Sequence, residues 1–202
     1  MISQAEKARI IEAIAATETK TAGEIFCVIA HASSNYSLVP VAWAALIALA
    51  APAPLIYLTI WPAGLIYLVQ LAAFIVTAMI LSLPAIRFRI VPGRAMRERA
   101  HIEAMRQFLA QGLHLTERRT GVLVFVSVAE RYAEIVADSG INAKVAPAVW
   151  QDAVDAALEA IKDGRIGDGL VAAVGRCGAV LAEHFPPGAI NRDELPNKVV
   201  EM

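Results

Sequence analysis

The residues in this chain able to do chemistry cluster loosely around the ends of its strand-like runs. Glu130, Glu134 and Asp138 follow or interrupt the apolar stretch that begins at Val122, and ligands of α/β sheets collect where strands finish. Two or three carboxylates converging there would hold a hard divalent cation, calcium or magnesium, through oxygen ligands. Asp138 is the metal ligand if there is one. Spacing sets a limit, because Glu134 and Asp138 are four apart in a strand, ~13 Å along it, and cannot share an ion directly. Asp138-Ser139-Gly140 reads first as a plain turn. Arg118 and Arg119 offer guanidinium forks for a phosphate or an anionic lipid, or a solvated loop. Glu24 opens a strand upstream, and Trp150 is either a core anchor or a ligand platform. Glu24, Arg119, Glu130, Asp138 and Trp150 are therefore the candidate binding residues, with no residue assigned as catalytic.

Other chemistries lack their signatures. No Walker loop, nucleotide-binding glycine fingerprint, nucleophile elbow, metalloprotease helix or Cys-x-x-Cys pair occurs. His31, His101, His114 and His184 have no metal-ligand spacing and read as boundary or core residues. Cys27 and Cys177 lie far apart in apolar contexts and read as buried free thiols. A net charge of −1 exerts no global pull toward nucleic acid.

The elements that must position these residues are interrupted by a long uncharged segment. Ala32 to Ile86 contains no Asp, Glu, Lys or Arg, and holds two apolar runs, Val41–Ile60 and Leu65–Leu83, joined by Trp61-Pro62-Ala63-Gly64. A spanning helix needs ~20 apolar residues to cross ~30 Å of hydrocarbon. Both runs reach that length, so residues 38–86 read as a transmembrane helical hairpin. Pro52 and Pro54 should kink the first span or end it early. Gln70, the lone amide of the second, suits a helix–helix hydrogen bond. Trp43, Tyr57, Trp61 and Tyr67 suit the aromatic belts of a bilayer. Arg87, Arg89, Arg94, Arg97 and Arg99 follow the second span while the connection is uncharged, so both termini are expected in the cytoplasm of a cell whose inner membrane holds the hairpin. The same arginines suit anionic lipid headgroups. The N-terminus lacks the pattern of a signal peptide.

Outside the hairpin about a quarter of the residues are charged, as in an ordinary globular domain. Residues 1–37 supply a helix from Gln4 to Ala16, opened by the Ser3/Glu6 capping-box spacing, and a buried strand, Glu24–Ala30. Residues 87–188 supply a helix from Ala95 to Leu113, with Ala100, Ala104, Met105, Phe108 and Leu109 on the apolar face and Glu98, Glu103, Arg106, Gln107 and Gln111 opposite. Two antiparallel strands, Val122–Val128 and Tyr132–Asp138, follow. Then come a helix from Pro147 to Lys162 and a last helix, Gly169 to Glu183, capped by Asp168, in which Gly175 and Gly178 allow close backbone approach. Residues 189–202 read as a flexible tail. The Glu24 and Val122 strands are joined through a helix and so run parallel in a right-handed crossover. One flank brings one strand and the other two, so the halves must meet to form one small mixed sheet.

Arg119-Thr120-Gly121-Val122-Leu123-Val124-Phe125-Val126-Ser127-Val128-Ala129-Glu130-Arg131 resembles the TPM domain family. The resemblance continues through Ile135-Val136-Ala137-Asp138-Ser139-Gly140-Ile141, Trp150, Gly169-Leu170 and His184-Phe185-Pro186, and upstream through Lys20-Thr21-Ala22-Gly23-Glu24-Ile25. It implies an α/β fold, a compact α/β/α sandwich, here interrupted by the hairpin as in a branch of bacterial membrane proteins. It also implies acid phosphatase activity in some members, calcium binding in others, and upkeep of membrane complexes in others. The leading expectation is a membrane-anchored domain that binds other membrane proteins. The alternatives are a divalent-metal-dependent phosphatase and a calcium-binding regulatory domain.

Overall fold

The computed structural model describes residues 2–187 and 194–202. The chain divides into two compact units, Met1–Ser33 with Arg97–Met202, and Ser34–Met96. The first unit is built on a four-stranded sheet in the order β3-β2-β1-β4, where β1 is Glu24–Ala30, β2 Gly121–Ser127, β3 Tyr132–Ala137 and β4 Val199–Glu201. β1 and β2 run parallel from Glu24↔Gly121 to Ala30↔Ser127, and β2 and β3 run antiparallel from Val122↔Ala137 to Ser127↔Tyr132. The parallel crossover and the hairpin expected from the strand patterns are both present. Every residue of β1 and β2 is buried, because helices cover both faces.

Alternation along the strands divides the core into two layers. Ile25, Cys27 and Ile29 of β1, with Val122, Val124 and Val126 of β2, face α1 (Gln4–Glu18), α8 (Gln151–Lys162) and α9 (Ile166–His184). Phe26, Val28, Leu123 and Phe125 face α6 (Gly93–Ala110) through Ala100, Ala104 and Phe108. Helices thus sandwich one mixed sheet, the α/β/α arrangement. The Ser3 capping box forms as read, with Ser3 Oγ accepting from Glu6 N–H at 3.2 Å and Ser3 N–H donating to Glu6 at 2.7 Å. Those bonds from Ser3 hold the Glu6 carboxyl below its ordinary value.

The second unit holds α2 (Leu38–Ala50), α3 (Pro52–Leu58), α4 (Ala63–Ser82) and α5 (Pro84–Ile90). Two stretches, Leu38–Leu58 and Ala63–Ser82, are long and apolar enough to cross a membrane, with mean hydropathies of 2.0 and 2.3. A soluble core helix would be mostly buried, yet only 17 % and 0 % of their most apolar windows are. The first span breaks between α2 and α3 at Ala51, where Pro52 opens a new helix. Gln70 lines a small cavity against Ala45, Ala48 and Leu49, walls without a side-chain acceptor, so among the described residues the amide finds no bond on α2. At the base of the hairpin Arg87 donates to Asn35 Oδ1 at 2.8 Å, and Tyr36 meets Phe88 edge-on.

Several expectations need correction. The flexible tail, residues 189–202, contains β4: Val199, Val200 and Glu201 pair in parallel with Cys27, Val28 and Ile29. Residues 188–193 lie outside the described residues. Three residues are too few for a pattern in sequence, and only the open side of β1 supplies their partner. On α6 the buried face is Ala100, Glu103, Ala104, Gln107 and Phe108, rotated from the expected one. Glu103 and Gln107 go inside because Glu103 Oε1 accepts from Gln107 at 2.8 Å and from Arg106 at 2.9 Å, while Met105 and Leu109 are left outside. The helix expected from Pro147 opens as a 3-10 turn, Pro147–Trp150, before α8. Asp168 lies in the first turn of α9 and pairs with Arg9 at 2.8 Å instead of capping. Gly178 does pack against Thr17, but Gly175 faces open space.

Candidate functional site

Strand register sorts the candidate residues onto two ends of the sheet. Glu24 and Gly121 begin β1 and β2, and Asp138 N–H donates to Gly121 C=O at 2.9 Å just past the end of β3. Glu24, Arg119 and Asp138 therefore share one end. Glu130 belongs to the other, in the tight β2–β3 connection. The sheet separates them, so the five candidates do not surround one cleft.

Each carboxylate is engaged locally. Glu24 is buried, and its Oε1 accepts from Glu194 N–H at 3.2 Å. Glu130 accepts from Ser33 N–H at 2.8 Å and from the Ser127 hydroxyl, tying the ends of β1 and β2 to the hairpin turn. Asp138 caps the one-turn helix α7 (Ser139–Asn142) by accepting from Ser139 N–H at 2.6 Å. The expected plain turn at Asp138-Ser139-Gly140 is thus a helix start. Asp138 Oδ2 is buried without a hydrogen bond, and Arg119 Nη1 stands 3.7 Å from it. Arg119 also donates to His114 C=O at 2.7 Å from a backbone at φ 54°, and left-handed conformation is uncommon for a side-chain-bearing residue. Gly140 lets this turn close: a Cβ there would lie 2.6 Å from Arg119 C=O. A guanidinium already neutralises Asp138, which reduces its attraction for a cation. No group of three or more His, Cys, Asp or Glu able to hold a metal occurs among the described residues.

A constellation that sequence spacing hides lies on the outer side of β3. His101 of α6 approaches Glu134 at 2.9 Å, and Tyr132 donates to the same carboxylate at 2.8 Å. Burial first, then the bond to Glu134, pushes the Tyr132 phenol well up. His101 and Glu134 are 33 residues apart on different elements, so no local motif could have announced the pair.

Beside it opens a concavity of about 440 Å³ along the free edge of β3. Met105 of α6 forms one wall; Trp150, Gln151 and Val154 form the other, and Ala133 to Ala137 make the floor. Trp150 is 4 % exposed and packs in the sheet's α8/α9 layer, the core-anchor alternative. Its indole N–H is buried and has no hydrogen-bond partner among the described residues. Continuing from the groove wall, Ile102, Met105 and Leu109 recur at i, i+3 and i+7 along α6 and are 52 %, 39 % and 54 % exposed, an apolar stripe open to solvent.

The second half of this frame has relatives. Residues 85–180 match the family model of the TPM domain. A TPM domain is present. The match takes in β2, β3 and the groove, while β1 of the sheet comes from residues before the hairpin and lies outside the matched stretch. The chain is also similar to a solved structure described as "NMR structure of BA42 protein from the psychrophilic bacteria Bizionia argentinensis sp. nov.", with a TM-score of 0.64 and 21 % identity over 100 % of this chain and 96 % of that one. At that identity the likeness bears on the fold alone. No curated protein matches the chain.

Proposed function

We propose that this chain is a membrane-anchored TPM domain that works by binding other proteins, in the assembly or upkeep of membrane complexes. The carrying observation is the apolar stripe Ile102, Met105 and Leu109, which runs through Met105 into the groove beside β3. Exposed apolar surface continuous with a groove is what a partner covers. The two apolar helical stretches support anchoring. The arginines Arg87, Arg89, Arg94, Arg97 and Arg99, against an uncharged Trp61–Gly64 connection, support a cytoplasmic domain on a bacterial inner membrane, with lipid headgroups as a second class of contact. Affinity capture of the full chain from detergent should recover the same membrane proteins repeatedly, and Leu109→Glu should release them. Repeated capture with no partner would refute the reading.

A second reading, a divalent-metal-dependent phosphatase or a calcium-binding regulatory domain, draws on Asp138 Oδ2, buried and without a hydrogen bond. Turnover of a generic phosphoester that requires calcium or magnesium and disappears in Asp138→Asn would put it first.

A further inference from the structure

The two edges of the sheet are finished very differently. Beyond β1 the edge is closed: Ile25 N–H donates to Glu18 Oε1 at 2.8 Å, three-residue β4 takes the rest, and Lys7 pairs with Glu201 at 3.2 Å. Short, charged and covered edges of this kind prevent unwanted pairing. β3 has six residues, contains no proline or lysine, and among the described residues pairs only with β2.

The polarity of its free edge follows from the register. Asp138 N–H bonds Gly121 C=O, which makes Gly121 and Asp138 a hydrogen-bonded antiparallel pair. By alternation Val136 and Glu134 also turn their N–H and C=O groups toward β2. Ala133, Ile135 and Ala137 then turn theirs outward, toward the groove. Asn142 confirms the direction, since its amide donates to Ala137 C=O at 2.7 Å. No such bond reaches the outward groups of Ala133 or Ile135 among the described residues. Donors and acceptors repeating every second residue match an extended backbone and nothing else of common occurrence.

We propose that this edge binds an extended peptide segment of a partner protein as an added strand beside β3, with Asn142 marking where pairing stops. The inference rests on the protein-binding reading above and names how the partner is held. A cavity of about 440 Å³ takes a short stretch of chain and not a folded domain. Alternate side chains of the segment would face Met105 on one side and Val154 on the other, so its residues at that spacing are apolar.

The test uses the full chain in detergent and a phage-displayed library of short random peptides. A selected peptide should slow hydrogen exchange at the Ala133 and Ile135 amides by about tenfold or more. Ile135→Pro removes an outward N–H without breaking a bond to β2, a change edge strands tolerate, and should raise the peptide Kd about tenfold. Met105→Glu puts a charge on the groove wall and should raise the peptide Kd about tenfold, with thermal stability little changed because Met105 is 39 % exposed. Should Ile135→Pro fail to fold, the exchange data and Met105→Glu decide. Bound peptides that leave both amides unprotected overturn the proposal. So does protection that grows with protein concentration in the absence of peptide, which would make a second copy the occupant. If captured partners bind without protecting these amides, strand pairing falls and the protein-binding reading stands; if nothing is captured, both fall.

Discussion

Replacing Gly169 by alanine tests how tightly α8 and α9 are locked together, and with them the groove wall that carries Trp150. A Cβ added at Gly169 would overlap Ala160 Cβ outright, with Ala156 C=O at 3.5 Å and Ala157 Cα at 3.6 Å already in contact. Both clashing atoms are Cβ carbons fixed by backbone, so no rotamer change relieves them and the helices must move apart. Overpacking of this kind costs about 1–3 kcal/mol. The helix itself gains up to about 1 kcal/mol from losing a glycine. With Cβ on Cβ the upper part of that range applies, about 2–3 kcal/mol, so the net expectation is a loss of about 1–2 kcal/mol, roughly 2–4 °C in Tm per kcal/mol at this chain size. Gly175 lies in the same helix with nothing within 4 Å of an added Cβ. Gly175→Ala should therefore shift Tm the other way, by up to about 1 kcal/mol of added stability. Adding Ala160→Gly to Gly169→Ala moves one methyl across the interface and should restore most of the loss, a coupling of about 1–3 kcal/mol. Thermal unfolding of the full chain in detergent, followed by near-ultraviolet circular dichroism, reads all four proteins. If Gly169→Ala melts at or above the parent, or the double variant shows no recovery, the close packing of α8 on α9 is wrong.

Three further outcomes are expected. Leu123→Ala empties a fully buried site on the central strand and should cost about 2–5 kcal/mol by denaturant unfolding, whereas Leu115→Ala, at a residue 75 % exposed, should stay within about 0.5 kcal/mol. Burial pushes the Cys177 thiol up to about 12 and the Cys27 thiol further still, so both remain protonated near pH 8 and should resist alkylation until the protein unfolds; rapid native labelling would contradict this. Because the Glu6 carboxyl is held below 4.5 in the folded protein, its contribution to the start of α1 is complete above that pH and fades as pH falls through the lowered value. Protection factors at the first amides of α1, taken relative to intrinsic exchange at each pH, should fall on acidification in the parent and be low at every pH in Glu6→Ala.

Much of the frame is legible because local patterns carry it. Val122–Val128 is a continuous branched and aromatic run that only a strand covered on both faces accommodates. The hairpin is announced by the absence of charge from Ala32 to Ile86. Proline at 52 and the Ser3/Glu6 spacing act within a turn of where they stand, so their effects could be foreseen. α6 was harder, since Glu103 counts as polar in any hydrophobic pattern and goes inside only because Gln107 and Arg106 meet its carboxylate.

The candidate site divides along the same line. By itself the sequence determined the two long apolar helices, the β1–β2–β3 pairing and the fold class, for these follow from the period and length of apolar residues. Only the tertiary structure decided that Glu130 stands at the opposite end of the sheet from Glu24 and Asp138, that His101 meets Glu134, and that β4 closes one edge while β3 stays open. Those outcomes depend on strand register and on contacts between residues tens to more than a hundred positions apart, which no local spacing encodes.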